Sequence, residues 1–364
     1  MSILQSLQIR NFRNLIETQA DFNHRFNVFY GDNGSGKTSL LEAIYYLGLA
    51  RSFRTRLHPR LINHQANAFS IFGQVIYRDT HFPIGIQRQQ DSACQIHIAG
   101  EPTTTAVELI KLLPLQLLDA NSHELLGGET KTRRQFLDWG VFHVEPIFWP
   151  TWQRAERALK QRNAALKLQA DKAQVQAWDV EFVQASQELH RLRGDYVKLF
   201  VPIAAKILED LLADCQVTLH YHPGWSEDED LALLLQRSLN HDYYLGYTRF
   251  GAHRADLQPR IGNIPAKDIL SQGQQKLMAY AMRIAQGVLL QQMNKPCVYL
   301  IDDLPSELDA KKRQKVVQLL VLLEAQIFVT GVVRHDFADL LPPKATDWFH
   351  VEHGQLAKVG RAYA

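Results

Sequence analysis

The sequence predicts an α/β protein in which a largely parallel sheet is interrupted by a long, mainly helical insert. Three observations carry that expectation. A glycine-rich loop, Gly31-x-x-x-x-Gly36-Lys37-Thr38, joins a short apolar run, Val28-Phe29-Tyr30, to a stretch whose Leu40, Leu41, Ile44 and Leu47 share one helical face. A second apolar run that ends in two acids, Val298-Tyr299-Leu300-Ile301-Asp302-Asp303, comes only after most of the chain has passed. Between them, from Trp149 to about Asp214, the chain is rich in Ala, Leu, Gln, Lys and Arg, and Leu189, Leu192, Tyr196, Leu199, Ile203 and Ile207 keep a spacing of three or four. The α/β lobe is expected to comprise 1–118 and 246–364, with 119–245 as the helical lobe and 270–276 at their junction.

The remaining elements follow in order. In the first hundred residues Ile71, Gly73, Val75 and Tyr77 alternate, as do Phe82, Ile84 and Ile86, with Arg78-Asp79-Thr80 between them, so a hairpin is expected. The segment from Arg51 to Arg60 carries Arg51, Arg54, Arg56 and Arg60, a solvated loop or a phosphate-contacting patch. Pro202 should kink or divide the helix it interrupts. The acids Glu227–Asp230 fit a helix start at Leu231. His220 and His222 share a strand face, with no third metal ligand at a suggestive spacing. A strand at 257–261, a helix at 310–323, a strand at 327–330 and a hairpin turning at Gly354 complete the pattern.

Composition sets bounds on function. The 364 residues are 46% hydrophobic, enough for a sizeable core and two lobes. Net charge is +2 and the isoelectric point near 8.3, so any affinity for nucleic acid has to come from local arrangement of charge. Three distant cysteines, Cys94, Cys215 and Cys297, offer neither a disulfide framework nor a thiolate metal site, and fit a reducing compartment. The first residues contain no apolar leader segment, and no run approaches a membrane span, so a soluble cytoplasmic protein without a membrane partner is expected.

The chemistry-bearing residues fall in three places. At the first, the residues Gly31, Asp32, Asn33, Gly34, Ser35, Gly36, Lys37 and Thr38 can wrap phosphate oxygens with backbone N–H groups at a helix N-terminus. Lys37 would reach the β- and γ-phosphates of a nucleotide, and the Thr38 hydroxyl would ligate Mg²⁺. The strand ending at Asp302 delivers a carboxylate to that Mg²⁺, and Asp303 can position an attacking water. The third place is Leu270-Ser271-Gln272-Gly273-Gln274-Gln275-Lys276, which opens a helix with Leu277, Met278, Ala281, Ile284, Ala285, Val288 and Leu289 on its apolar face. Ser271 is a suitable N-cap and Gly273 lets another molecule's backbone or phosphate approach.

The Leu270–Gln274 segment resembles the signature motif of the ABC ATPases, and Ser306-Glu307-Leu308-Asp309 resembles their D-loop. In the opening residues, Leu7-Gln8-Ile9-Arg10-Asn11-Phe12-Arg13 is similar to the start of the chromosome-maintenance class within that superfamily. Together with ARSFR, TRRQFLDWGVFHVEP, LKQRNAAL, GAHRADL and LIDDLPSELD in this order, these stretches resemble the RecF family of bacterial DNA-repair ATPases over about 330 residues.

That resemblance implies a P-loop NTPase head of the ABC/SMC type without a long coiled coil. It also implies an ATP-dependent homodimer in which Ser271, Gly273 and Gln274 meet the γ-phosphate held by the second copy, with Arg13 near the nucleotide. It implies Gln116 as a further Mg²⁺-side residue and Thr330 at the position of the switch histidine of transporters. The partners it implies are DNA at single-strand/double-strand junctions, RecO, RecR and RecA, in recombinational repair, replication restart and SOS induction. Asp303 and Thr330 stand where transport ATPases carry Glu and His, so slow, DNA-stimulated hydrolysis is expected, with ATP acting mainly as a dimerisation switch. An ATP-binding subunit of a transporter is the alternative function, and it would need a membrane partner.

Overall fold

The computed structural model describes residues 2–90, 93–213 and 215–359, so Asp214 lies outside the described residues. The chain divides into two units, Met1–Ser122 with Gly287–Ala364, and His123–Gln286.

The first unit opens with β1 (Ser2–Phe12), β2 (Leu15–Asp21) and β3 (Phe26–Tyr30), followed by α1 (Lys37–Leu49). Next come β4 (Ala68–Tyr77), β5 (Thr80–Gln89), β6 (Gln95–Ile98), β7 (Glu101–Thr103), α2 (Val107–Leu112) and β8 (Leu115–Leu118). The expected hairpin between β4 and β5 turns on Arg78 and Asp79 alone, with Thr80 already in β5; both turn residues have positive φ (49° and 63°), the backbone twist that closes a two-residue hairpin.

The second unit contains α3 (Glu124–Gly127), α4 (Thr130–Val144), α5 (Phe148–Lys167), α6 (Lys172–Gln176) and α7 (Asp179–Leu211). These are followed by β9 (Val217–His222), α8 (Leu231–Leu245), β10 (Asp256–Ile261), β11 (Ile264–Pro265) and the start of α9 (Gln272–Gln292). The chain then returns to the first unit with β12 (Val298–Ile301), α10 (Leu304–Glu307), α11 (Ala310–Leu322), β13 (Ile327–Gly331), α12 (His335–Ala338), β14 (Thr346–Glu352) and β15 (Gln355–Val359).

Two six-stranded sheets build the first unit. One is antiparallel, in the order β2-β1-β4-β5-β6-β7; the other runs β15-β14-β3-β13-β12-β8 and is parallel except for β15. The helix α1 is buried in one core with both sheets: Leu40, Leu41, Ile44 and Leu47 join Leu4, Leu7 and Ile9 of β1 and Val298, Leu300 and Phe328 of the parallel sheet. Burial on both faces explains why β12 reads as an unbroken apolar run. Because β14, β3, β13, β12 and β8 are parallel, their C-terminal ends share one edge, where open α/β sheets hold their ligands.

The structure differs from the sequence expectation in three respects. The segment 246–286 belongs to the second unit, not to the α/β lobe. It is tied there by six residue pairs between β10 and β9 and by the fork of Arg133 on Asp256 (2.7 and 2.9 Å). Pro202 does not divide α7, which is continuous on both sides of it. Pro202 lies on the exposed side while Tyr196, Phe200, Ala204, Ile207 and Leu208 keep the helix packed across the missing N–H. The apolar stripe passes through Phe200 instead of Leu199, which is 47% exposed. His220 and His222 lie on the exposed face of β9, and among the described residues no cluster of His, Cys, Asp or Glu forms a metal site.

Candidate nucleotide-binding site

The loop 31–36 leaves β3 and enters α1 with its glycines in the left-handed half of φ space (Gly31 146°, Gly34 82°, Gly36 119°). Gly31 is required by contact as well as by conformation, since a Cβ there would sit 2.2 Å from the Val351 carbonyl oxygen of β14. The Gly31 N–H donates to the Val332 carbonyl (3.1 Å) and the Gly354 N–H donates to the Ser35 carbonyl (2.8 Å), so β13 and the last hairpin brace the loop. Gly36 caps α1 without any side-chain hydrogen bond, and no acid occupies the first turn. The N–H groups at that terminus therefore face the cleft unpaired by a capping side chain, the arrangement that suits a phosphate.

Lys37 is buried, and its ammonium donates to the Gly31 and Asp32 carbonyls (2.6 and 2.8 Å). Burial pulls its pKa below the ordinary lysine value, opposed by the charges of Asp303, Asp302 and Asp32.

The second half of the cleft comes from β12 and its neighbours. In the sheet order β13 separates β3 from β12, which puts Thr330 between the loop strand and the acidic strand. The Thr330 hydroxyl donates to Asp302 Oδ1 (2.8 Å) and accepts the Asp303 N–H (2.7 Å), while the Thr38 hydroxyl also donates to Asp302 Oδ1 (3.0 Å). Burial pushes the Asp302 carboxyl above the usual aspartate range, with the charges of Asp303 and Asp119 adding and the two threonine hydroxyls opposing. Such a carboxylate, already touching the threonine of a phosphate loop, matches the donor set of a Mg²⁺ site that keeps several waters. Asp303 adopts a left-handed backbone (φ 52°, ψ 45°), unusual for a residue other than glycine. Its Oδ1 is buried without a hydrogen-bond partner, so one acceptor in the cleft is free for a water or an ion's hydration shell. The cleft itself has a volume of about 340 Å³.

Asn33, Gly34, Gly36, Lys37, Thr38, Asp302, Asp303 and Thr330 are thus gathered around one cleft. Thr330 is hydrogen-bonded to both aspartates there. Of the other expected residues of this unit, Gly31, Asp32 and Ser35 belong to the loop without lining the cleft, and Gln116 and Arg13 lie away from it. Gln116 is buried in the body of β8 opposite Tyr299, three positions before the strand-end level of Asp302, so at ~3.3 Å per residue it cannot be a close metal neighbour. Arg13 is engaged elsewhere: its guanidinium forks onto the fully buried Glu42 (3.0 and 2.8 Å) and bonds the Arg60 carbonyl (3.0 Å).

Asn14 and Arg54 line the cleft instead. Glu42 also receives the Ser52 hydroxyl and lies 3.6 Å from the Arg54 guanidinium, so it gathers the arginine loop against α1. Asp119, beside Asp302, was missed although Leu115–Asp119 carries the same signal as Val298–Asp302, an apolar strand ending in an acid.

In the second unit, Ser271 and Gln274 cap the start of α9 reciprocally: Ser271 Oγ accepts the Gln274 N–H (3.4 Å) and Gln274 Oε1 accepts the Ser271 N–H (3.0 Å). Ser271 is exposed and Gln274 half-buried, and a Cβ on the exposed Gly273 would meet nothing within 4 Å, so this helix start is open to another molecule. Asp309 caps α11 by accepting the Lys312 N–H (2.9 Å).

A phosphate loop and an acid-tipped strand on a parallel sheet, which shares its core with an antiparallel sheet in a chain that also carries a helical unit, define the ATPase-head class of P-loop proteins. The sequence profile described as "RecF/RecN/SMC N terminal domain" matches residues 3–351. The DNA replication and repair protein RecF of Coxiella burnetii (strain RSA 493 / Nine Mile phase I) is 44% identical over 360 residues, covering 98% of this chain and 99% of that protein. The protein of the same name from Psychromonas ingrahamii is 42% identical over 355 residues, covering 97% and 99%. In fold, the chain is similar to a solved structure of the recombination mediator protein RecF-ATPrS (TM-score 0.85, 22% identity, 99% of this chain and 98% of that one). It is also similar to an Smc head bound to the C-terminal winged-helix domain of ScpA (TM-score 0.62, 13% identity, 99% and 98%). The chain belongs to the RecF family of DNA replication and repair proteins. Among the described residues no helix is long and apolar enough to cross a membrane.

Proposed function

We propose that this chain binds Mg²⁺-ATP and that the nucleotide joins two copies on DNA at single-strand/double-strand junctions. There it works with RecO and RecR in loading RecA at gaps during cytoplasmic recombinational repair, replication restart and SOS induction. The observation that carries the nucleotide reading is the hydrogen-bonded set Thr38–Asp302–Thr330–Asp303 facing a helix N-terminus that has no side-chain cap. Residues 31–38 cradle the phosphates and Lys37 exchanges its two loop carbonyls for phosphate oxygens. Thr38 and Asp302 hold the Mg²⁺, with Asp119 close by, and Asp303 orients water through its free oxygen. When bound, Mg²⁺-ATP supplies the scissile phosphoanhydride and the negative charge that a second copy's Ser271 and Gly273 recognise.

Turnover is slow because Asp303 is one methylene shorter than the glutamate of fast relatives and Thr330 offers no titratable group. ATP then acts chiefly as a dimerising ligand and its hydrolysis as a release step. The reading is supported by the family membership and by the RecF-ATPrS structure of the similar protein. Sedimentation with ATP and a gapped duplex tests it. The wild type is expected to dimerise, Lys37→Met to stay monomeric, and Ser271→Arg to bind nucleotide without dimerising. A wild type that is monomeric under every condition overturns the proposal.

A further inference from the structure

A segment of the second unit outside the nucleotide cleft, 243–254, has four aromatic residues in its first eight positions, Tyr243, Tyr244, Tyr247 and Phe250, interleaved with Arg249 and followed by Arg254. Its shape is fixed from beneath. Thr248 is buried, with its N–H and hydroxyl donating to Asn163 (2.8 and 2.7 Å), its hydroxyl accepting from the fully buried Arg162 (2.8 Å) and its carbonyl 3.0 Å from His253 Nε2. Arg162 is in turn ion-paired to the fully buried Asp242 (2.8 Å). Pinning Thr248 in this way presents its neighbours to solvent. Tyr244 is 85% exposed and Tyr247 40% exposed. The Arg254 guanidinium lies over the Tyr247 ring (5.4 Å) and that of Arg249 over Phe250 (4.9 Å).

Within this segment the unpaired charge is of one sign. From His241 to Arg254 the only acid is Asp242, whose carboxylate is taken up by Arg162. Among the described residues neither Arg249 nor Arg254 is ion-paired. Lys167 is exposed and packs its stem near Gly246.

We propose that this segment is a contact surface for single-stranded DNA, with the Tyr244 and Tyr247 rings stacking on bases and Arg249, Arg254 and Lys167 pairing with the backbone. Ring faces of this kind serve unstacked bases, which a duplex does not offer, and cations beside them supply the salt-dependent part of the affinity. The inference rests on the DNA-binding reading above and assigns its single-stranded arm to particular residues.

The test is fluorescence anisotropy of the full-length protein with a labelled oligo-dT strand and, separately, a blunt duplex, each across a salt series, with and without ATP. The double variant Tyr244→Ala/Tyr247→Ala is expected to lose about tenfold or more in affinity for the single strand and little for the duplex, and the matching Tyr→Phe double variant to retain wild-type affinity. Arg254→Ala is expected to lower the salt slope by about one unit. Both tyrosines are surface residues, so unchanged circular dichroism and ATP binding are expected for the variants. If the wild type binds no DNA, the functional reading itself fails. If it binds and the tyrosine variants bind the single strand equally well, or lose single strand and duplex alike, the assignment of this surface fails. Variants that keep full DNA binding but lose a protein partner would make the surface a protein interface and overturn the inference.

Discussion

Replacing Thr330 by Val keeps shape and strand preference but removes the hydroxyl that joins Asp302 to the Asp303 N–H. Two hydrogen bonds disappear, at 2.8 and 2.7 Å, from a side chain with no solvent exposure. The half-buried Asp303 N–H is left without its acceptor, a cost of about 1–3 kcal/mol, and Asp302 loses a bond to a charged oxygen but keeps that from Thr38. Since the two bonds share one network they are not additive, and a total of about 2–4 kcal/mol is expected. For a unit of this size that lowers the midpoint of its thermal transition by on the order of 5–10 °C.

The second consequence is electrostatic. The Thr330 hydroxyl is one of the groups opposing the upward push on the Asp302 carboxyl, so its loss moves that carboxyl further up and the variant needs a higher pH to bind Mg²⁺-nucleotide. Calorimetry and the pH profile of fluorescent-nucleotide binding read the two effects, and Thr330→Ser should restore both. A Val variant with wild-type midpoint and wild-type pH profile would refute the view that Thr330 organises the two aspartates.

Three further outcomes are expected. Gly31→Ala should abolish nucleotide binding and destabilise the first unit by more than about 3 kcal/mol, because the new Cβ meets backbone of β14 at a position of positive φ; a calorimetric midpoint within a degree of wild type would contradict it. The elevated Asp302 pKa means that, without Mg²⁺, its contribution to stability is present below the unfolded value near ~3.9 and is lost as pH rises through the folded value. Urea titrations should therefore show Asp302→Asn gaining stability over wild type at neutral pH, with the gain vanishing in acid. Arg162→Met strands Asp242, fully buried, without its partner, and should cost the second unit about 3–5 kcal/mol. Burial already raises the Asp242 carboxyl, so that loss should shrink as pH falls and Asp242 protonates, which chemical denaturation at two pH values can check.

Elements whose signal is local were legible in the chain itself. The phosphate loop, the strand Val298–Ile301, the hairpin that turns beyond Tyr77 and the cap by Ser271 each depend on residues a few positions apart, so periodicity, glycine placement and capping chemistry specify them. Features that failed depend on distant partners. The allotment of 246–286 turns on β10 pairing with β9. The course of α7 through Pro202 turns on packing along its buried face, which a local rule about proline does not include. Arg13 looked free to meet a nucleotide because nothing adjacent in sequence names Glu42 as its partner, and Gln116 was placed near the metal by position when its strand level puts it too deep.

By itself, then, the sequence determined the family, the α/β sheet with its inserted helical unit, and the identity of the loop and acid that meet at the candidate nucleotide cleft. Only the tertiary structure decided how these residues act on one another. The insertion of β13 between β3 and β12 sets a threonine hydroxyl on both aspartates, and Glu42 collects arginines from two separate loops. The reason is physical: strand order and buried ion pairs are fixed by contacts among residues far apart in the chain, whereas a motif is fixed by the few residues that spell it.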